Sequence, residues 1–280
     1  MSTIKELREQ QRQSWNKFSP GWSKWNNLLM NALGVLGDEM LKVISPDLDN
    51  VLDVATGTGE PALSYAKQNP NSKIIGVDLS EGMVKIAQEH AKLRGISNYR
   101  AEIANASDLN FNDNLYDAIT CRLGIMFFPD PKQAIEEFKR VLKTDGMMCL
   151  TVWGHPQKND WLTIAGGTVK EMLELPTPPK ETPGVFRFSE QGELLNLMKE
   201  VGDLSIEEKE IQGEMCFESA EQYLEMMMDI AAPIVSALDK ADEKKCKKVR
   251  DSILSQANSL LVDGKLTFEW SAWLLVAKKI

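Results

Sequence analysis

The stretch VLDVATGTGEPAL, Val51 to Leu63, constrains this chain more than any other. An apolar run from Val51 to Ala55 holds one acid, Asp53. Two glycines follow, Gly57 and Gly59, and then Pro61, a residue suited to the first turn of a helix. A strand with so little polar alternation is buried on both faces, which implies a parallel sheet covered by helices on each side. The next hundred residues repeat the theme. IIGVD, YRAEIA, YDAITC and MMCLTVW read as strands. Between them lie helices that end before Asn69-Pro70, start at a Ser80 cap and end at Arg94-Gly95, or start at Asp130-Pro131 and run to about Leu142. Right-handed crossovers between such strands give an α/β, doubly wound sheet.

The flanks differ. Residues 1–46 read as an N-terminal helical cap, with Trp15, Phe18, Trp22 and Trp25 around a Pro20-Gly21 break that predicts two helices with a bend. The aromatic cluster packs the cap onto the core or closes it over a ligand pocket. Residues 47–280 form the main domain, with insertions near 155–200 and 218–263 expected to make a substrate lid. The first insertion carries PTPPKETPGVF, a stiff loop with Pro176, Pro178, Pro179 and Pro183. A helix is expected near 190–201 and a strand near 204–211. Ser219 and Gln222 form a capping box for a long helical region that Asp263-Gly264 ends, and LTFEWSAWLLVAKK closes the chain as a strand.

The 32 basic and 41 acidic side chains leave a net charge of −9, which supplies no general field for nucleic acid or for an anionic membrane surface. Neither is expected as a partner. The polar first segment has no apolar core of a signal peptide, and no apolar run approaches the ~18 residues of a membrane span. A cytoplasmic protein, monomer or homodimer, is the expectation. Cys121, Cys149, Cys216 and Cys246 are scattered and show no metal-ligand spacing, so reduced thiols and no metal are expected.

The glycine turn by itself leaves the ligand open. GTGEPA matches a dinucleotide fingerprint, and Asp78 stands 19 positions after Gly59, where an acid accepts from both hydroxyls of a ribose. NAD and S-adenosylmethionine (SAM) both satisfy this. Asp53 and Glu60 separate them, because carboxylates at both ends of the turn repel a pyrophosphate and suit a cation.

DVATGTG resembles the first motif of the class I SAM-dependent methyltransferases, in the form seen in their quinone-methyltransferase-like (UbiE-like) group. GVDLSEGMVKIAQEHA and FKRVLKTDGMMCLTVWG resemble later segments of the same domain, so that the likeness spans about 51–154. The resemblance implies a Rossmann-like, mostly parallel seven-stranded sheet whose last strand is antiparallel. It implies SAM as cofactor and a small-molecule acceptor. By resemblance, Asp53 with the backbone of Ala55, Thr56, Gly57 and Gly59 faces the amino-acid part of SAM. Asp78 binds the ribose, Leu79 and Met83 lie against the adenine, and Asn105-Ala106 reads its edge where the family usually has Asp-Ala.

Methyl transfer is an in-line displacement that needs position and a dry site, with a base only where the acceptor must lose a proton. Arg122, just past the fourth strand, is a candidate for the SAM carboxylate or an anionic acceptor group. His155, just past the fifth, is the candidate base. Phe127, Phe128, Trp153 and Trp161 line an apolar acceptor pocket or pack the core. MFFPD after the fourth strand lacks the motif of DNA amino-methyltransferases, and the scattered cysteines do not suit arsenic. The expected reaction moves a methyl group to oxygen or carbon of a small apolar or aromatic molecule, quinone-like or a secondary metabolite. The alternatives are a SAM-binding protein without catalysis and an NAD-dependent oxidoreductase.

Overall fold

Val51, Leu52 and Val54 are wholly buried in β1 (Asn50–Val54), which a central strand requires. A computed structural model describes residues 3–280, so the first two residues of the expected cap lie outside it. In chain order the elements are α1 (Ile4–Lys24), α2 (Asn26–Val43), β1, α3 (Ala62–Gln68), β2 (Lys73–Asp78), α4 (Glu81–Leu93) and β3 (Tyr99–Ile103). Then come β4 (Tyr116–Arg122), a 3-10 turn at Ile125–Phe127, α5 (Pro131–Val141), β5 (Leu142–Trp153) and α6 (Asp160–Met172). The chain continues through α7 (Glu193–Val201), β6 (Leu204–Phe217), α8 (Ala220–Ile230), α9 (Ala232–Leu238), α10 (Glu243–Ser259) and β7 (Leu266–Lys279).

The strands form one seven-stranded sheet in the order β3-β2-β1-β4-β5-β7-β6. β1 pairs parallel with both β2 and β4, and strand order reverses between those two neighbours. That switch point opens a crevice beyond the carboxyl ends of β1 and β4, the place where such sheets hold ligands. β7 runs antiparallel between β5 and β6, as the family resemblance implies. The expected 204–211 strand extends to Phe217, because β7 is long enough to pair with all of it, from Leu204↔Lys279 to Phe217↔Leu266.

The bend in the cap lies at Trp25 rather than at Pro20-Gly21. α1 runs through Pro20 to Lys24. A proline has no N–H for the carbonyl four residues earlier, here that of Asn16. Ser19 Oγ donates to that carbonyl at 3.1 Å and removes the penalty. Gly21 serves packing instead. A Cβ there would lie 2.1 Å from the backbone oxygen of Asp229, so α1 and α8 touch backbone to backbone. Lys24 pairs with Asp229 and Glu225 at 2.6 and 2.7 Å, and Trp25 Nε1 donates to Asp229 at 2.8 Å.

The insertions divide. α7 belongs to the covering layer, packed on α5 and β6. The expected long helix before Asp263-Gly264 is three helices, α8 to α10, with Pro233 opening α9. Trp153 and Trp161 are core, with ring centroids 5.4 Å apart. Asn159 fastens the start of α6 to the sheet. Fully buried, it donates to the carbonyls of Gly154, His155 and Ser271 and accepts from Ser271 N at 3.2 Å. Asn159→Leu leaves those buried backbone groups without this partner and is expected to cost about 3 kcal/mol, read as a lower midpoint in urea unfolding.

Candidate active site

The cleft lies where the sheet topology puts it. Its floor is the turn after β1, its near side the end of β2 and the start of α4, and its far side the segment after β4. The turn is shaped by backbone. Ala55 and Gly57 adopt φ of 54°, the left-handed region, and Gly59 a φ of 109° with Leu63 where a Cβ would be. Thr56 N donates to Val77 O at 3.0 Å and Gly59 N to Thr56 O at 2.8 Å, so the turn is latched to β2 and to itself.

Asp78 ends β2 and is nearly buried. One carboxylate oxygen accepts from Gly57 N at 3.0 Å, the other from Ser80 N at 2.9 Å. Burial raises its carboxyl to about 6, against those two amides. Each oxygen accepts one such bond and so keeps a free lone pair, and Asp78 lines the cleft. Leu79 and Met83 line the same side.

Asp53 is a different case. It is 1% exposed and does not itself line the cleft. β-sheet register sets it between Gly76 and Thr120. One oxygen accepts from Thr120 Oγ1 at 2.5 Å, and the other has no partner. Burial raises its carboxyl to about 6, opposed by the hydroxyls of Thr120 and Thr56 and by Arg122. Its influence on the cleft is therefore charge acting through the turn. Gly59 likewise shapes the turn without lining the cleft.

Arg122 lines the cleft and makes no ion pair among the described residues. Its guanidinium donates to Leu33 O at 3.3 Å and lies 3.5 Å from Met30 Sδ. Burial lowers its pKa, opposed by Glu60 and Asp53. Glu60, also at the cleft, is engaged by Arg94. Asn105 and Ala106 line the adenine end expected from the resemblance, and Asn105 Oδ1, which accepts from Ser107 N at 3.3 Å, keeps a second lone pair.

His155 is not brought to the cleft. Its Nδ1 accepts from Gln157 N at 3.2 Å, and its Nε2 lies 3.3 Å from Glu190. Among the described residues, none after Pro129 lines this cleft. Gly184 N donates to Met126 O and Arg187 to Phe128 O at 2.7 Å, which backs the segment after β4.

The other wall comes from the cap. Arg8, Gln11, Trp15 and Trp22 of α1 line the cleft, as do Met30 and Leu33 of α2. Trp15 packs edge-on to Phe127 at 5.1 Å between centroids and lies 5.8 Å from Trp22. No sequence motif marks Arg8 and Gln11. Positions 8, 11, 15 and 22 do fall on one helical face, and that spacing is the signal that could have found them.

A methyltransferase-domain family model matches residues 46–202, which is more than half of the chain. The chain belongs to that methyltransferase family. It is a SAM-dependent methyltransferase of class I. A demethylmenaquinone methyltransferase of Listeria monocytogenes is 28% identical over 208 residues, covering 68% of this chain and 87% of that one. One from Bacteroides fragilis is 28% identical over 228 residues, covering 74% and 90%. In fold, the chain is similar to the YcgJ protein of Bacillus subtilis, with a TM-score of 0.58, 22% identity and coverage of 88% and 98%. The cyclase SpnF gives a TM-score of 0.53 at 22% identity, covering 88% and 80%. Among the described residues no helix is long and apolar enough to cross a membrane, and no cluster of potential metal ligands occurs.

The residues present fit SAM. Asp78 offers an acceptor to a diol, Arg122 has no carboxylate partner, and the Asp53 oxygen without a partner favours a cation nearby. Both carboxyls sit above their ordinary 3.8, so this source of stability is full below that value and is lost as pH rises through about 6. Cofactor affinity runs the other way, since the diol and the sulfonium favour ionised acids. SAM affinity, measured by calorimetry, is expected to fall as pH drops through about 6, by up to about tenfold per pH unit for each of the two acids, with a flatter profile in Asp78→Asn.

Proposed function

We propose that this enzyme methylates carbon or oxygen of a small, planar, apolar acceptor of quinol type. The observation that carries the reading is the composition of the cleft's second half. Trp15, Trp22 and Phe127 offer flat, apolar surface in the cleft, and Met30 and Leu33 add apolar surface beside Arg122. Aromatic walls of this kind bury a ring with little loss of side-chain entropy. The demethylmenaquinone methyltransferases among its relatives support the same acceptor class.

SAM, when bound, supplies an electrophilic methyl on sulfonium. The chain's own residues hold the rest in line. Asp78 takes the ribose hydroxyls, and Leu79 and Met83 flank the adenine with Asn105 and Ala106 at its edge. The turn from Ala55 to Gly57 accommodates the amino-acid part, Arg122 takes its carboxylate, and Asp53 lies beneath as the counter-charge. The cap excludes water from the acceptor side, which strengthens every charge interaction there. A phenolic acceptor that arrives ionised needs no base. His155, held by Gln157 N and Glu190 away from the cleft, has no part in this scheme.

Incubation with SAM and a reduced, water-soluble naphthoquinone lacking a ring methyl is expected to give a product heavier by one methylene, detected by mass spectrometry. Asp78→Ala is expected to abolish turnover at limiting SAM, and His155→Ala to keep it within about twofold. Absence of methylation across naphthoquinols and phenols, with SAM bound, overturns the acceptor class.

A further inference from the structure

The cap and the cofactor half of the cleft meet at one side chain that the proposed mechanism does not use. Asn16 of α1 sends Oδ1 to the N-terminus of α4. It accepts from Ser80 Oγ at 2.7 Å and from Gly82 N at 3.0 Å. Ser80 caps α4, accepting from Met83 N at 3.2 Å, and Ser80 N is one of the two amides that hold Asp78. The approach is close: a Cβ on Gly82 would lie 2.3 Å from Ser19 Oγ, and Ser19 is itself bonded to the Asn16 carbonyl. A single amide oxygen thus fixes the hydroxyl rotamer of Ser80, the first turn of α4 and, through them, the Asp78 carboxylate.

The neighbour of Asn16 is Trp15, and the same helix carries Arg8, Gln11 and Trp22 into the cleft. Movement of α1 therefore moves the acceptor wall and the ribose acid's support together. We propose that Asn16 is a positioning residue that couples cofactor occupancy at Asp78 to closure of the α1 wall over the acceptor. The coupling rests on Asp78 as the ribose acid. It is reciprocal: cofactor on Asp78 stabilises the α4 turn that Asn16 grips, and a seated α1 holds Asp78 in its binding geometry. Asn16 touches neither donor nor acceptor in this scheme.

Calorimetry with S-adenosylhomocysteine and hydrogen exchange of α1 test it. Alanine is a stronger helix former than asparagine, so Asn16→Ala keeps α1, and far-UV circular dichroism verifies this. Asn16→Gln, one methylene longer, is the second variant. Asn16→Asp presents the same acceptor oxygen and is the rescue. In the wild type, S-adenosylhomocysteine slows exchange across residues 11–22. Asn16→Ala is expected to bind it about tenfold more weakly, the net loss of one or two hydrogen bonds, and to lose most of that protection. Asn16→Asp is expected to restore both. Asp78→Ala in the same assay is expected to weaken binding about a hundredfold. If Asp78→Ala weakens binding but folded Asn16→Ala and Asn16→Gln keep wild-type affinity and α1 protection, the coupling is overturned and the site reading stands. If Asp78→Ala binds as the wild type does, both fall.

Discussion

A buried carboxylate held by two loops organises this enzyme. Asp78 receives Gly57 N from the turn after β1 and Ser80 N from the start of α4. Without amide donors, an ionised acid so far from water is expensive, and it protonates instead. Its carboxyl, raised to about 6, shows that the two amides offset only part of that cost. In the proposed scheme a ribose diol supplies the remainder. Stability and ligand binding therefore pull on the same group in opposite directions as pH changes. Thr56 N on Val77 O sets the turn's height against β2, so the Gly57 amide arrives at Asp78 without an induced movement.

From that anchor the molecule divides into two halves. The parallel strands and their loops build the cofactor half from backbone geometry, which tolerates little change. The acceptor half is built from side chains on α1 and α2, elements that lie outside the sheet. Helix faces can exchange one apolar residue for another without altering strand register. In the proposed scheme acceptor choice thus sits in the cap, while the insertions after β5 and β6 brace it: α8 against α1 through the Gly21 contact, and the Gly184–Arg187 stretch behind Phe128.

Most of the sheet was legible in the sequence because its strands are short, apolar and punctuated by Gly, Pro and Asp caps. The closing strand was legible too, though its antiparallel direction came only with the family resemblance. The cap's bend was not, since Pro20 normally breaks a helix and the rescue by Ser19 Oγ on the Asn16 carbonyl is a side-chain contact no periodicity reveals. His155 misled for a related reason: its position after β5 puts its backbone at the correct edge of the sheet, but the 3-10 turn at Pro156–Lys158 and Glu190 hold its ring elsewhere. Arg8 and Gln11 carry no motif. They share a helical face with Trp15 and Trp22, and the docking of α1 across α4 makes that face the cleft wall. Asp53 was legible as an acid in the right strand, but its seat beneath the turn depends on the register with Gly76 and Thr120.

That seat explains why an acid is kept in a position where hydrophobic packing would cost less. Thr120 satisfies one oxygen at 2.5 Å and nothing satisfies the other. Since the residue does not line the cleft, a ligand offsets the deficit by charge rather than by direct contact. At an effective dielectric near 20, opposite unit charges about 6 Å apart attract by roughly 3 kcal/mol, and like charges repel by as much. A pyrophosphate over this turn meets that repulsion. An ammonium or sulfonium meets the attraction. In the proposed scheme, one carboxylate in the strand beneath turns this glycine geometry toward a cationic methyl donor.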